Sequence, residues 1–149
     1  MRTLIIGLGN PILGDDGVGW RVVEEVGRLL PYQEIAFVSL GGLSLMERLI
    51  GYDRAIIVDA LQTGNGRIGS VSVCALEDLP NFSSGHTTAA HDTSLQTALD
   101  LGRKMGVELP DEIIVVGVQA QQVYDFSDEL TSPIAESVPE AVTAVLNLL

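Results

Sequence analysis

The sequence predicts an α/β fold, in which helices cover both faces of a mostly parallel, twisted sheet of about five strands in a three-layer sandwich. Short apolar runs of the kind found in buried parallel strands alternate along the chain with amphipathic helical patterns. The chain has 149 residues, of which 46% are hydrophobic, so it can bury a core of its own. We therefore expect one domain that spans residues 1–149.

The first half of the chain contains three predicted strands and two predicted helices. Residues 3–7 form the first strand, and residues 17–30 form a helix. The second strand at 34–40 is followed by a short helix at 43–50 and by a third strand at 54–59. The third strand is nearly all apolar, so we expect it at the centre of the sheet. The positions that form the apolar face of the first helix are Val18, Val22, Val26 and Leu29.

The second half begins with the tight-turn sequence Gly64-Asn65-Gly66, after which residues 69–75 alternate and predict a strand that folds back antiparallel. A helix is predicted at 92–105 and a continuously apolar strand at 112–118. The last helix is predicted to begin near Pro133, a favoured first-turn residue. The positions expected to be buried are Leu95, Leu99, Gly102 and Met105 in the first of these helices, and Ile134, Val138, Val142, Val145 and Leu149 in the second.

Charge and cysteine content narrow the functional classes. The formal net charge is −12, which repels nucleic acids and anionic membranes and suits cations or a basic peptide partner. One cysteine, Cys74, allows no disulfide within the chain. No apolar run approaches a membrane span, and Gly7 and Gly9 interrupt any signal-peptide pattern. We therefore expect a cytoplasmic protein without membrane contact.

The stretch Leu4–Gly19 ends a strand in a glycine-rich turn and opens a helix, which is where open α/β sheets bind ligands. The dinucleotide fingerprint fails because Ile12 stands where its third glycine belongs, and the chain has no phosphate-binding P-loop sequence. Adjacent Asp15 and Asp16 repel phosphate and favour a cation. The alternative is that either aspartate merely caps the helix that follows.

Three places at the same predicted sheet edge carry hard donors: Asp15 and Asp16 after the first strand, Asp59 at the end of the third, and His91 before a helix. Two carboxylates and an imidazole suit a divalent transition metal, and they also suit an acid/base pair with a histidine. Structural roles for each residue remain open. Neither a GxSxG nor an HExxH sequence occurs. Cys74 is predicted to be a buried, inert thiol, and we rank His86 behind His91 because it lies in a loop.

Five segments occur in order along nearly the whole chain: GLGNPILGDDGVG at residues 7–19, IIVDA at Ile56–Ala60, HDTSL at His91–Leu95, GVQ at Gly117–Gln119 and SPIAESVPEAVTAVLNLL at the end. Together they resemble the hydrogenase maturation proteases. The resemblance implies an α/β sandwich and an endopeptidase that removes a short C-terminal extension from the large-subunit precursor of a nickel–iron hydrogenase. Such enzymes act after nickel has been inserted into that precursor.

The resemblance also implies that Asp16, Asp59 and His91 contact nickel held by the precursor rather than a permanent cofactor. We take Asp16 and Asp59 as catalytic by hypothesis, because a carboxylate could act as general base toward water. We assign Gly41 and Gly42 to substrate binding and expect a monomer.

Two positions depart from the family pattern. Many members carry an acid before the glycine pair, where this chain has Leu40, and a proline where it has Ala120. A non-cleaving nickel-dependent adaptor or metallochaperone therefore stays open as an alternative, and only peptide-bond cleavage separates it from the protease. GLGNP also opens peptidyl-tRNA hydrolases, but those enzymes need a histidine soon afterwards, and the first histidine here is His86.

Overall fold

The computed structural model describes residues 1–62, 66–79, 94–121 and 125–149. Its strands are β1 (Thr3–Leu8), β2 (Ile35–Val38), β3 (Arg54–Leu61), β4 (Val71–Ala75) and β5 (Glu112–Gln119). Its helices are α1 (Val18–Leu29), α2 (Gly42–Leu49), α3 (Leu95–Lys104) and α4 (Ser132–Leu148), and a 3-10 turn, Gly14–Gly17, precedes α1. A second 3-10 turn, Leu76–Asp78, follows β4.

The strands form one five-stranded sheet in the order β2-β1-β3-β5-β4. The pairs β1–β2, β1–β3 and β3–β5 are parallel, and β4 runs antiparallel to β5. The predicted α/β class, the mostly parallel sheet and the central position of β3 are confirmed. The antiparallel direction of the fourth strand is also confirmed, although its partner is β5 and not β3, which precedes it in the chain. The predicted turn at 64–66 lies partly outside the described residues.

Two separate cores lie on the two faces of the sheet and confirm the three-layer arrangement. Residues of α1 and α4 pack on one face with Ile5, Ile56 and Val116. Residues of α2 and α3 pack on the other face with Ile6 and Ile57. Because side chains alternate along a strand, each central strand supplies both cores, which explains why β3 reads as a continuous apolar run.

Helix α1 lies unusually close to the central strands because glycines stand at the contact. A Cβ atom on Gly19 would lie 2.2 Å from the carbonyl oxygen of Val58 and 2.8 Å from that of Leu8. A Cβ atom on Gly7 of β1 would lie 2.7 Å from the carbonyl oxygen of Gly19. The absence of side chains on both elements therefore brings the start of α1, and the turn before it, directly onto β1 and β3.

The predicted apolar faces were wrong at helix ends. Leu29, Met105 and Leu149 are 52%, 73% and 51% exposed, respectively. Leu29 is the last residue of α1, and Met105 and Leu149 follow α3 and α4 directly, so these residues extend past the sheet that would cover them. Within the described part of the chain, no helix is long and apolar enough to cross a membrane.

Candidate active site

The site lies at the topological switch point of the sheet, between β1 and β3. From β1 the chain continues through α1 to β2 on one side, and from β3 it continues through β4 and α3 to β5 on the other side. Helix α1 packs on one face of the sheet and α3 on the opposite face, so a crevice lies between the carboxyl ends of β1 and β3. In open α/β sheets this crevice is the usual ligand site. Asp16 follows β1, and Asp59 lies near the end of β3, so both lie at this edge.

Asp16 is held by the glycine-rich turn that precedes it. The backbone N–H of Asn10 donates to Asp16 Oδ2 at 2.8 Å, which folds the side chain back across the turn. Gly9 has φ +141°, and a Cβ atom there would lie 2.0 Å from the carbonyl oxygen of Asp16. Only glycine fits this close approach. Asp16 is half-buried, whereas its neighbour Asp15 is buried.

Asp59 is almost fully buried, with 2% of its surface exposed. It lies two residues after Ile57 and therefore projects to the α2/α3 side of the sheet. Its register partner on β5 is Gly117, where the side chain of Leu61 fills the space that a Cβ atom would take. Asp59 is thus a carboxylate near the carboxyl end of a central strand, where open α/β sheets bind their ligands.

Asp15 does not cap the next helix, which was the alternative interpretation of the aspartate pair. Gly17 is the N-cap of α1 and makes no side-chain capping bond. The buried Asp15 carboxylate instead accepts from Thr131, whose backbone N–H lies 2.7 Å from Oδ1 and whose hydroxyl lies 2.8 Å from Oδ2. Thr131 is the N-cap residue of α4. Asp15 therefore joins the 3-10 turn Gly14–Gly17, which we call the aspartate turn, to α4, and both its carboxylate oxygens accept hydrogen bonds.

His91 and His86 lie outside the described residues. α3 begins at Leu95, three residues later than the sequence predicts, and its N-cap is Ser94, whose hydroxyl accepts from the N–H of Thr97. The other end of α3 lies at the amino edge of the sheet, where Arg103 donates to the carbonyl of Pro110 at 3.0 Å. The start of α3 therefore points to the carboxyl edge, on the Asp59 side of the sheet.

No group of three or more His, Cys, Asp and Glu side chains within 1–62, 66–79, 94–121 and 125–149 is arranged to hold a metal ion. The predicted three-ligand site depends on His91, so the described residues supply only its two carboxylates.

Gly41 and Gly42 also lie at the carboxyl edge, between β2 and α2. Gly41 is the N-cap of α2, and Gly42 is its first residue with φ +60°, a left-handed conformation that favours glycine. Both glycines are buried, whereas Leu40 beside them is 41% exposed. The glycine pair thus shapes the backbone at the start of α2, and its assignment to substrate binding stays a prediction.

Cys74 lies on β4 and is half-buried. Burial raises the pKa of its thiol, and the Asp78 carboxylate raises it further. A raised pKa lowers the thiolate fraction at neutral pH, and the thiolate is the nucleophilic form. We expect Cys74→Ala to keep wild-type activity in a peptide-cleavage assay, and iodoacetamide labelling at pH 7 to be slow. Loss of activity in a folded Cys74→Ala variant would contradict this prediction and make the Cys74 thiol a candidate nucleophile.

Two further polar residues were not predicted as site residues from their spacing. Gln119 is only 8% exposed and lies at the end of β5, on the face that carries Asp59 and Gly117. Its position at the end of an apolar strand is the signal that could have identified it. Trp20 Nε1 donates to the carbonyl of Val38 at 3.2 Å and so ties α1 to the end of β2.

The chain is similar to proteins of hydrogenase maturation. The family model for hydrogenase maturation proteases, HycI, matches residues 20–148. The hydrogenase expression/formation protein HupD of Rhizobium leguminosarum bv. viciae is 27% identical over 151 residues, which cover 99% of this chain and 74% of that protein. The hydrogenase 2 maturation protease of Escherichia coli (strain K12) is 31% identical over 121 residues, which cover 79% of this chain and 73% of the relative.

A solved structure, the hydrogenase maturating endopeptidase HybD from E. coli, superposes with a TM-score of 0.79 at 28% identity and covers 100% of this chain and 92% of its own. The fold, the sequence match and the family model agree over residues 20–148. The chain therefore belongs to the hydrogenase maturation protease family, whose members are endopeptidases.

Proposed function

We propose that this chain removes a C-terminal extension from the nickel-loaded large-subunit precursor of a nickel–iron hydrogenase. The observation that carries the proposal is the pair Asp16 and Asp59 at the carboxyl ends of β1 and β3, in a chain of the hydrogenase maturation protease family. The net charge of −12 agrees with a cationic group on the substrate. The proposed setting is a cytoplasmic monomer that acts on another protein.

Nickel enters this proposal as part of the substrate. Carboxylate oxygens and an imidazole nitrogen are donors that suit a divalent transition metal, so Asp16, Asp59 and His91 together fit that role. A metal held by precursor thiolates keeps the remaining coordination positions for these side chains. Contact with the metal would place the scissile peptide bond beside the protease, so only a loaded precursor would be positioned for cleavage.

Cys74 is a poor candidate for the nucleophile, because burial and the Asp78 carboxylate raise the pKa of its thiol. Water is therefore the proposed nucleophile, and a carboxylate of Asp16 or Asp59 could accept its proton. The position of Asp59 near the carboxyl end of a central strand suits such a general base, because open α/β sheets bind their ligands there.

The test is the intact mass of a large-subunit precursor, prepared with nickel and without it, before and after incubation with this protein. We expect loss of a defined C-terminal peptide from the nickel-loaded precursor only. Stripping nickel with a chelator before mixing should prevent the mass change. Equal cleavage of both precursors would overturn the role of nickel, and no cleavage with stable complex formation would overturn the protease assignment.

The last outcome would favour a non-cleaving adaptor. The observation that supports this second candidate is the exposed Leu40, which stands where many family members carry an acid. If this protein binds the loaded precursor without cleaving it, the mass measurement is repeated with the Leu40→Glu variant. Cleavage by that variant would show that an acid at position 40 is needed for peptide-bond hydrolysis.

A further inference from the structure

We infer that Asp15 is a positioning residue, which holds the carboxylate of Asp16 in place by anchoring the aspartate turn to the N-terminus of α4. The inference rests on the proposed role of Asp16 for its functional meaning. The anchor itself is seen in the structure, as two hydrogen bonds between Asp15 and Thr131.

The hydroxyl of Thr131 binds Asp15 and does not cap α4, the helix that Thr131 precedes. A threonine at an N-cap position ordinarily accepts a hydrogen bond from a backbone N–H in the first turn of its helix. Thr131 makes no such side-chain bond, and its hydroxyl points to Asp15 Oδ2 at 2.8 Å. α4 therefore has no side-chain cap. The Thr131 hydroxyl instead donates to Asp15 of the aspartate turn, which lies 116 residues earlier in the chain.

Further hydrogen bonds join the aspartate turn and residues close to it to the segment 127–131. The N–H of Gly14 donates to the carbonyl of Ser127 at 2.8 Å, and the N–H of Ser127 donates to the carbonyl of Ile12 at 2.9 Å. Arg21 of α1 donates to the carbonyl of Asp128. The aspartate turn is thus docked along the segment 127–131, and Asp15 makes the side-chain part of that contact.

The aspartate turn needs such an anchor because its internal bonds are weak. Residues 14–17 form a 3-10 turn, in which hydrogen-bond geometry is poorer than in an α-helix. The N–H of Asp16 reaches the carbonyl of Leu13 at 3.2 Å, and Leu13 makes no side-chain cap. Asp15 and Asp16 are adjacent, so rotation of the turn that released Asp15 would also displace the Asp16 carboxylate.

The position of Asp16 can be measured without any substrate. Its Oδ2 accepts from the N–H of Asn10 at 2.8 Å, so hydrogen exchange of the Asn10 amide reports whether the carboxylate stays in place. Thr131→Val keeps the shape and the backbone N–H but removes the hydroxyl donor. Thr131→Ser keeps the hydroxyl. Ser137→Ala is the matched control, because it removes another hydroxyl of α4, which donates to the carbonyl of Ile134.

We expect Thr131→Val to speed exchange of the Asn10 amide about tenfold, whereas Thr131→Ser stays within about twofold of wild type. Ser137→Ala should leave Asn10 unchanged, even where amides of α4 exchange faster. Unchanged exchange at Asn10 in Thr131→Val, or an equal effect in Ser137→Ala, would overturn the inference. Should Thr131→Val fail to fold, Asp15→Asn is measured in the same way with the same expected acceleration.

A second readout connects the anchor to the proposed function. We expect the affinity of the protein for Ni²⁺ alone, measured by calorimetry, to fall about tenfold in Thr131→Val and to recover in Thr131→Ser. The two proposals can fail separately. A wild-type protein that cleaves no loaded precursor would contradict the proposed function, while faster Asn10 exchange in Thr131→Val would still establish that Asp15 positions Asp16.

Discussion

Asp16→Asn and Asp59→Asn are each expected to lower the rate of precursor cleavage by at least about 100-fold while the protein remains folded. Asparagine keeps the shape of the side chain but removes the charge that a metal contact or a general base requires. Neither substitution opens a cavity, since the volume is conserved. The measurement is the cleavage rate by intact mass, with circular dichroism to verify the fold.

The matched control is Asp128→Asn, which changes an exposed aspartate in the segment that leads into α4. It should cleave at the wild-type rate. Measuring the affinity for the loaded precursor alongside cleavage separates the two possible roles. A variant that binds but does not cleave has lost a catalytic group, whereas a variant that no longer binds has lost a recognition contact. A folded Asp16→Asn or Asp59→Asn variant with full activity would remove that residue from the proposed site.

His91→Ala belongs to the same test, and His86→Ala is its control within the same stretch of sequence. If His91 is the third group that contacts nickel, His91→Ala should be as inactive as the two aspartate variants, and His86→Ala should remain active. An active His91→Ala variant and an inactive His86→Ala variant would instead assign the nickel-contacting imidazole to His86. The prediction that ranks His91 above His86 would then be wrong.

Gly19→Ala is expected to lower the free energy of unfolding by at least about 3 kcal/mol, at or above the upper end of ordinary overpacking costs. The added methyl group would lie 2.2 Å from the Val58 carbonyl oxygen and 2.8 Å from that of Leu8. Both atoms belong to central strands, which cannot move aside without breaking the sheet. α1 would have to shift outward, and the aspartate turn would shift with it.

Gly27→Ala, in the same helix, is the matched control. Its methyl group would meet Ile35 Cδ1 at 2.7 Å, the end of a side chain that can rotate. Alanine also favours the helix over glycine by about 0.5–1 kcal/mol, so Gly27→Ala should unfold within about 1 kcal/mol of wild type. Urea denaturation of the three proteins provides the comparison. If Gly19→Ala and Gly27→Ala were equally stable, Gly19 would not lie in close contact with the backbone of β1 and β3.

The fold class and the order of elements could be predicted because they depend on local patterns. Apolar runs such as 112–118 identify buried strands, and apolar positions three or four residues apart identify helices such as α1. The common edge of Asp16 and Asp59 was also predictable, since the carboxyl ends of parallel strands meet at one edge. Helix ends were less predictable, as the exposed Met105 demonstrates, because periodicity does not reveal where the covering sheet stops.

The sequence by itself therefore determined the α/β class, the predominantly parallel sheet and the two aspartates at its carboxyl edge. Only the tertiary structure decided that β4 pairs with β5, since an antiparallel strand can join any open edge. Only the tertiary structure also explained why Asp15 and Asp16 have different surroundings. The two side chains are chemically identical neighbours, and their roles differ because Thr131, 116 residues away, binds one carboxylate and leaves the other at the crevice.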